Sequence, residues 1–231
     1  LPRAAALSAA AAVTMDADTG ETLFAENADS RLPMASTTKI MTALVALGEG
    51  DLDRVYTVKK QYAAVEGSSM YLEEGERLTL RDTLYGLLLS SGNDAAAAVA
   101  GECGGERAFV DKMNAKAREL GLTDTRFENP SGLPSDGHYT TARELAKITA
   151  AALRDPVFRD IVSTKTCTAA GRTLVNHNRL LSLYEDAIGV KTGFTRAAGR
   201  CLVSAAERNG RTVIAVTLND PDDWNDHIAL L

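Results

Sequence analysis

Apolar and polar positions alternate through Ala12-Val13-Thr14-Met15-Asp16, and a second short run, Thr22-Leu23-Phe24-Ala25, follows Asp18-Thr19-Gly20. A period of two, interrupted by turn-forming residues, predicts a β-hairpin. The period then changes. Ile40, Met41, Leu44, Val45 and Leu47 recur at helical spacing, and Gly48 and Gly50 close that helix. Thr79-Leu80-Arg81-Asp82 resembles a capping box and opens an apolar helix, Leu84 to Leu89, that ends at Ser90-Ser91-Gly92-Asn93. An Ala-rich helix runs from Asp94 to Ala100, and another from about Glu106 to Leu120 with Gly121 as its C-cap. Asn129-Pro130-Ser131-Gly132-Leu133-Pro134 is a turn cluster. Thr141-Ala142-Arg143-Glu144 starts a further helix, stopped by Asp155-Pro156.

The last third of the chain returns to strands. Ile188 to Thr192, Arg200 to Ala206 and Thr212 to Leu218 read as extended, and Asn209-Gly210 is a type I′ hairpin signal between the last two. Strands at both chain ends around a helical middle predict an α+β fold. One antiparallel sheet is built from the two ends and flanked by helices, beside a mostly helical second lobe. The chain is read as a single catalytic domain, 1–231, with a sheet lobe of about 1–60 and 157–231 and a helical lobe of about 61–156.

Composition narrows the function classes. With 231 residues, 45% hydrophobic and 24% charged, the chain is large enough to bury a sizeable core. Its net charge of −6 argues against a nucleic-acid partner and a basic membrane-surface patch. No run approaches bilayer-spanning length. Leu1 to Ala10 lacks a starting Met and a basic leader, and fits either a remnant of signal cleavage or an arbitrary chain start. Cys103, Cys167 and Cys201 are too few for a disulfide framework, and a Cys167–Cys201 pair stays open. His138, His177 and His227 form no H-x-x-x-H pair, so no metal and no organic cofactor is expected.

The candidate chemistry begins with Ser36 and Lys39, three residues apart and therefore on one helix face. A serine hydroxyl needs a neighbour to take its proton. A lysine amine does so if burial or a second cation pulls its pKa down. About one S-x-x-K match arises by chance in a chain this long, and a helix-capping serine beside a solvated lysine explains a lone match. Two further motifs change that balance. Ser91-Gly92-Asn93 and Lys191-Thr192-Gly193 follow in order, and the three together are the set found in β-lactamases and penicillin-binding proteins.

The match extends beyond these motifs. Leu88 to Ala95, Asn129-Pro130-Ser131-Gly132-Leu133, Asn176-His177-Asn178-Arg179-Leu180-Leu181 and Gly189-Val190-Lys191-Thr192-Gly193-Phe194-Thr195, with Ala198-Gly199, resemble the low-molecular-mass D-alanyl-D-alanine carboxypeptidases. The resemblance covers about Ala12 to Leu218. It implies that Ser36 forms an acyl-enzyme, that Lys39 is its base, and that Lys191 lowers the pKa of Lys39. Ser91 would relay a proton between Lys39 and the leaving amine. Asn93 would hold Lys39 on one side and the substrate amide on the other. Lys191 and Thr192 would receive the substrate's terminal carboxylate, Gly193 would admit the ligand closely, and the Phe194 and Ser36 N–H groups would form the oxyanion hole. His177 and Thr195 are further substrate-binding candidates, and Ser68-Ser69-Met70 resembles a cleft-bordering loop.

The implied partners are peptidoglycan stem peptides ending in D-Ala-D-Ala, with β-lactam antibiotics as inhibitors. The implied location is extracytoplasmic and bacterial. The C-terminal β-rich domain and anchor helix of some relatives have no counterpart in the sequence, so membrane association would rest on segments outside it. A β-lactamase shares the fold, but no E-x-x-L-N segment lies between Asn93 and Lys191, and Ser91 stands where another class has Tyr. A transpeptidase differs only in its acyl acceptor. A non-catalytic penicillin-binding sensor is the alternative from another class.

Overall fold

In the computed structural model, which describes residues 6–231, the alternating N-terminal segment forms strands β1 (Ala11–Asp16) and β2 (Thr22–Glu26). Part of the Leu1–Ala10 stretch, read above as a cleavage remnant or chain start, lies outside the described residues. Asp16 organises the hairpin turn, its Oδ1 accepting from the backbone of Asp18 and Thr19 at 3.0 Å each. A tight 3-10 turn, Ala35–Thr38, then leads into α1 (Lys39–Gly48). Ser36 therefore stands in the turn ahead of the α-helix, not in the helix's own first turn. The cause is local. Ala35 has φ +49°, and the Lys39 N–H donates to the Ser36 carbonyl in the three-residue pattern of a 3-10 turn.

Two short strands, β3 (Val55–Thr57) and, beyond α2 (Lys60–Ala63), β4 (Arg77–Thr79), pair with each other. Thr79 caps α3 (Leu80–Leu89), its Oγ1 accepting from the Asp82 N–H at 3.1 Å. Helices α4 (Asn93–Glu102) and α5 (Glu106–Glu119) follow, and Gly121 sits at φ +71° beyond the latter. Thr141 caps α6 (Ala142–Leu153) in the same way. Asp155-Pro156 ends α6 and also starts α7 (Pro156–Ser163): the Asp155 carboxylate accepts from the Val157 N–H, and Pro156 occupies the first helical position. The hairpin of β5 (Thr166–Ala169) and β6 (Arg172–Val175) and the single-turn α8 (Leu180–Leu183) precede three long strands. These are β7 (Ala187–Thr195), β8 (Gly199–Arg208) and β9 (Arg211–Leu218), after which α9 (Asp223–Leu230) closes the chain.

The main sheet has the order β2-β1-β9-β8-β7, and all its neighbours are antiparallel. The fold is α+β, with the two chain ends joined where β1 pairs with β9. Helix α6, although inside the 61–156 segment, packs on β9 and β1. Helix α1 touches α3, α4, α5 and α6, and seven of its ten residues are buried. Strand β7 is one edge of the sheet, and the 3-10 turn bearing Ser36 leans against it. That contact places the first and third motifs side by side.

On the opposite flank His227 of α9 is fully buried and bridges two strands. Its Nδ1 lies 2.5 Å from Ser204 Oγ on β8 and its Nε2 2.9 Å from Thr217 Oγ1 on β9. Burial pushes its pKa down from 6.5 to about 3. Between those values the unfolded chain carries a proton that the folded chain refuses. The stability that neutral His227 confers is thus complete above pH 6.5 and lost as pH falls toward 3, by up to ~1.4 kcal/mol per pH unit. Urea unfolding of His227→Gln at pH 7, 6 and 5 should show a shallower loss of stability than the parent protein; an identical slope would contradict this account.

Candidate active site

Lys39 has no exposed surface, and its amine lies 2.8 Å from each of three oxygens: Ser36 Oγ, Asn93 Oδ1 and the Ser131 carbonyl. Two of these are carbonyl oxygens and can only accept. A neutral amine has two hydrogens and one lone pair, so the carbonyls of Asn93 and Ser131 take both hydrogens and the lone pair faces the Ser36 hydroxyl. The site favours that neutral form. Burial pulls the Lys39 pKa well below 10.5 and the nearby Lys191 lowers it further, against the opposing pull of Asp94.

Each of these oxygens is held from behind. Asn93 opens α4, and its amide nitrogen donates to the Glu66 carbonyl at 2.8 Å. That bond uses one of the two amide hydrogens and anchors the loop that carries Glu66. The Ser131 carbonyl is presented by the Asn129–Gly132 turn, where Asn129 Oδ1 accepts from the N–H groups of Ser131 and Gly132. Pro130 is tied to α1 because its carbonyl accepts from Thr42 Oγ1 at 2.6 Å. Gly132 has φ +93°, and a Cβ there would fall 1.9 Å from the Ala35 carbonyl, so only glycine lets this turn press against the entry to α1. The Ser131 carbonyl is the functional group that motif reading missed. Its one sequence signal was the turn cluster itself.

Lys191 is 1% exposed and donates to Ser91 Oγ at 3.0 Å and to the Thr192 carbonyl at 2.7 Å. Burial brings its pKa from 10.5 to about 7. Ser91 lies in the α3–α4 junction with φ +55°, a backbone strain of roughly 1 kcal/mol that aims its hydroxyl at Lys191. No hydrogen bond joins Ser91 to Lys39 among the described residues, because the three positions around the Lys39 amine are already filled. Asp94, buried at the start of α4, accepts from Ser69 Oγ and from the N–H groups of Met70 and Leu72. It fixes the Ser68–Leu72 loop.

Ser36, Ser68, Ser91, His177, Thr192, Gly193 and Phe194 line one open cleft of about 490 Å³, together with Arg200, Asp223 and Trp224. Lys39, Asn93 and Lys191 lie buried beneath it. His177 has its pKa lowered by burial and by Lys191 and Lys39. Phe194 is 64% exposed, so its backbone, and not its ring, meets the protein here. Gly193 touches the turn that bears Ser36: a Cβ on it would lie 2.8 Å from the Ser36 backbone nitrogen. Thr195 is not brought into this cleft. It faces an adjoining cavity with Arg31 and Ala197, and its hydroxyl accepts from the Ala198 N–H in the β7–β8 turn. The three cysteines are free thiols, so Cys167 and Cys201 do not pair.

The family model described as D-alanyl-D-alanine carboxypeptidase matches residues 2–222. A protein of that name from Streptomyces sp. strain K15 is 40% identical, over 92% of this chain and 81% of its own length. The D-alanyl-D-alanine carboxypeptidase DacF of Bacillus subtilis is also 40% identical, and there the match spans 56% of the relative's length. Among solved structures, a serine-to-alanine mutant of the Streptomyces K15 DD-transpeptidase superposes with a TM-score of 0.94 at 38% identity, covering 98% of this chain and 97% of that one. A D-alanyl-D-alanine carboxypeptidase from Mycobacterium tuberculosis H37Rv gives a TM-score of 0.94 at 35% identity, over 99% and 91% of the two chains.

Two outcomes test this geometry. Replacing the buried cation in Lys191→Met should raise the pKa of Lys39, so the acidic limb of the pH profile for Ser36 acylation moves to higher pH; stopped-flow acylation across pH reads this, and an unmoved limb would show that Lys191 does not help keep Lys39 neutral. Gly193→Ala should slow acylation on the order of 10²-fold by forcing β7 away from the Ser36 backbone. Its unfolding free energy should fall by only about 1–3 kcal/mol. Acylation at the parental rate would show that the close approach is not needed.

Proposed function

The chain belongs to the D-alanyl-D-alanine carboxypeptidase family, and from that premise we propose that Ser36 is the nucleophile which removes the terminal D-alanine from peptidoglycan stem peptides. The observation that carries the assignment is the Lys39 amine 2.8 Å from Ser36 Oγ, with both of its neutral-state hydrogens committed elsewhere. Lys39 takes the hydroxyl proton as Oγ attacks the carbonyl carbon between the two D-alanines. The oxyanion so formed accepts from the backbone N–H groups of Ser36 and Phe194, which the close approach of Gly193 holds together. The C–N bond then breaks. The leaving amine takes the proton that Lys39 accepted, passed on through the Ser91 hydroxyl, which Lys191 holds in place, so Lys39 is neutral again. D-Alanine departs and leaves an ester on Ser36; water then attacks that ester, its proton passing to Lys39 and from there to the Ser36 oxygen as the bond to the acyl group breaks.

The same arrangement supports acylation of Ser36 by β-lactams, whose strained amide presents a carbonyl to the same groups. Peptidoglycan lies outside the cytoplasmic membrane, so the proposed place of action is extracytoplasmic. Among the described residues no helix is long and apolar enough to cross a membrane. A second reading rests on the solved Streptomyces K15 neighbour, which is named a transpeptidase. In that reading an amine, not water, takes the acyl group from Ser36.

Incubation with a peptide ending in D-Ala-D-Ala should release free D-alanine, and Ser36→Ala should reduce the rate by at least about 10³-fold. Release that persists in Ser36→Ala would refute the mechanism. An added glycine or D-amino acid acceptor measures the second reading, since transpeptidation yields a new peptide product at the expense of hydrolysis.

A further inference from the structure

Beside the turn that bears Ser36, the His138 ring is 5% exposed and is hydrogen-bonded at both nitrogens. Nδ1 lies 3.0 Å from the backbone nitrogen of Glu128, and Nε2 lies 2.7 Å from Thr38 Oγ1. A backbone N–H only donates, so Nδ1 presents its lone pair, and the proton of the neutral ring is on Nε2. Nε2–H therefore donates to the Thr38 hydroxyl. Burial brings the ring's pKa from 6.5 to about 4, against the pull of Glu128, so the ring is neutral near pH 7. The Glu128 carboxylate is itself engaged by Ser135 Oγ and Arg126. The Phe127 ring packs edge-on against the imidazole, with ring centres 5.7 Å apart.

The ring's two partners belong to the two segments that meet at the Lys39 amine. Thr38 is the last residue of the 3-10 turn and directly precedes Lys39. It stands where a threonine ordinarily caps the following helix, but its hydroxyl makes no such bond and meets His138 instead. Glu128 directly precedes the Asn129–Gly132 turn, whose Ser131 carbonyl takes one hydrogen of the Lys39 amine at 2.8 Å. One imidazole thus joins the segment that carries the base to the segment that carries its acceptor. A second tie, from Thr42 Oγ1 to the Pro130 carbonyl, lies one turn further along α1. Two anchors give the Ser131 carbonyl a direction as well as a distance. His138 is itself held by its neighbours: Tyr139 exchanges backbone hydrogen bonds with Arg126 at 2.9 and 3.0 Å, and Thr140 does so with Leu32 at 2.8 and 3.1 Å.

We propose that His138 is a positioning residue for the Lys39 base: its imidazole, donating to Thr38 and accepting from Glu128, fixes the Lys39 amine against the Ser131 carbonyl and so keeps the amine's lone pair on Ser36. The inference rests on the reading of Lys39 as the base for Ser36, and extends it to a residue that touches neither Ser36 nor the cleft. Without the tie the Ser131 carbonyl is free to turn, one amine hydrogen loses its acceptor, and the lone pair swings off the hydroxyl. Ligand binding is spared, because neither Thr38 nor His138 lines the cleft. The ring can nevertheless be reached from outside. It lines the adjoining cavity of about 380 Å³, together with Ala35, Gly132 and Thr195.

That cavity allows a chemical test. His138→Gly should slow acylation of Ser36 by a penicillin on the order of 10²-fold at saturating ligand, with the dissociation constant of the preceding complex unchanged. Imidazole added at pH 8, where it is neutral, should restore much of the rate. Thiazole, a ring of similar size with an acceptor nitrogen and no N–H, should restore little, because it has nothing to donate to Thr38. Equal recovery with both rings would show that His138 only fills space and would overturn the assignment. A second measurement needs no added ring. Thr38→Val removes the acceptor and keeps the side-chain shape, and His138→Asn keeps an acceptor for Glu128 but loses the donor to Thr38. Combined, their losses in acylation rate should fall well short of additive, and fully additive losses would also overturn the assignment. With a D-Ala-D-Ala peptide each single variant should lose kcat and hold KM; a loss confined to KM would contradict a role through Lys39. A wild type that penicillin does not acylate at Ser36 would instead overturn the reading of Ser36 and Lys39, and this inference with it.

Discussion

Two lysine side chains buried side by side are the constraint around which this molecule is arranged. Lys39 and Lys191 are both withdrawn from water, and among the described residues neither forms an ion pair with a carboxylate. Two full positive charges in such a place would be expensive to hold. The protein surrounds them with neutral oxygens: the Asn93 side chain, the carbonyls of Ser131 and Thr192, and the hydroxyls of Ser36 and Ser91. Dipoles of this kind satisfy an amine's hydrogens without restoring the charge that burial removes. One carboxylate, Asp94, stands near enough to Lys39 to matter and is itself occupied by backbone donors. The chemistry therefore depends on withholding a counter-ion.

That requirement explains why the site is assembled from turns as much as from helices and strands. Backbone carbonyls inside regular elements are spent on regular hydrogen bonds, so those offered to lysines come from the Asn129–Gly132 turn and from a strand position facing inward. The strained residues fall in the same places. Ala35 and Ser91 adopt positive φ; the first precedes the Ser36 motif and the second opens the Ser91-Gly92-Asn93 motif. Gly132 and Gly193 permit the close approach of two separate chain segments to the Ser36 turn, where any side chain would collide with backbone. The strain is local and small beside the packing of α1, which ties the turn to the rest of the core.

Much of this was legible in the sequence, for reasons that can be named. Thr79 and Thr141 announced helix starts because capping needs a short hydroxyl at a fixed spacing, and both cap as read. Asn209-Gly210 announced its hairpin because both residues require positive φ, and both have it. The motif residues were found because side-chain chemistry is written in residue type. What escaped was carried by the main chain or by short elements. The Ser131 carbonyl belongs to every residue alike, and only tertiary structure turns it toward Lys39. The strands β3 to β6 are three or four residues long and show no period. Thr195, one residue past the cleft, follows the motif residues in sequence but lines the adjoining cavity with Arg31 and Ala35. Arg200 and Trp224 carry no pattern of their own. Their place in the cleft comes from tertiary structure that the sequence does not state.

The edge position of β7 has a consequence of its own. An unpaired strand edge will accept almost any extended chain, and most proteins cover it. Here α7 and α8 cover part of β7, and the 3-10 turn crosses it at Gly193, leaving a short stretch beside the nucleophile. A folded protein cannot enter so brief an opening, but a few residues of slack peptide can. On the proposed reading, an opening of this size suits a short extended peptide.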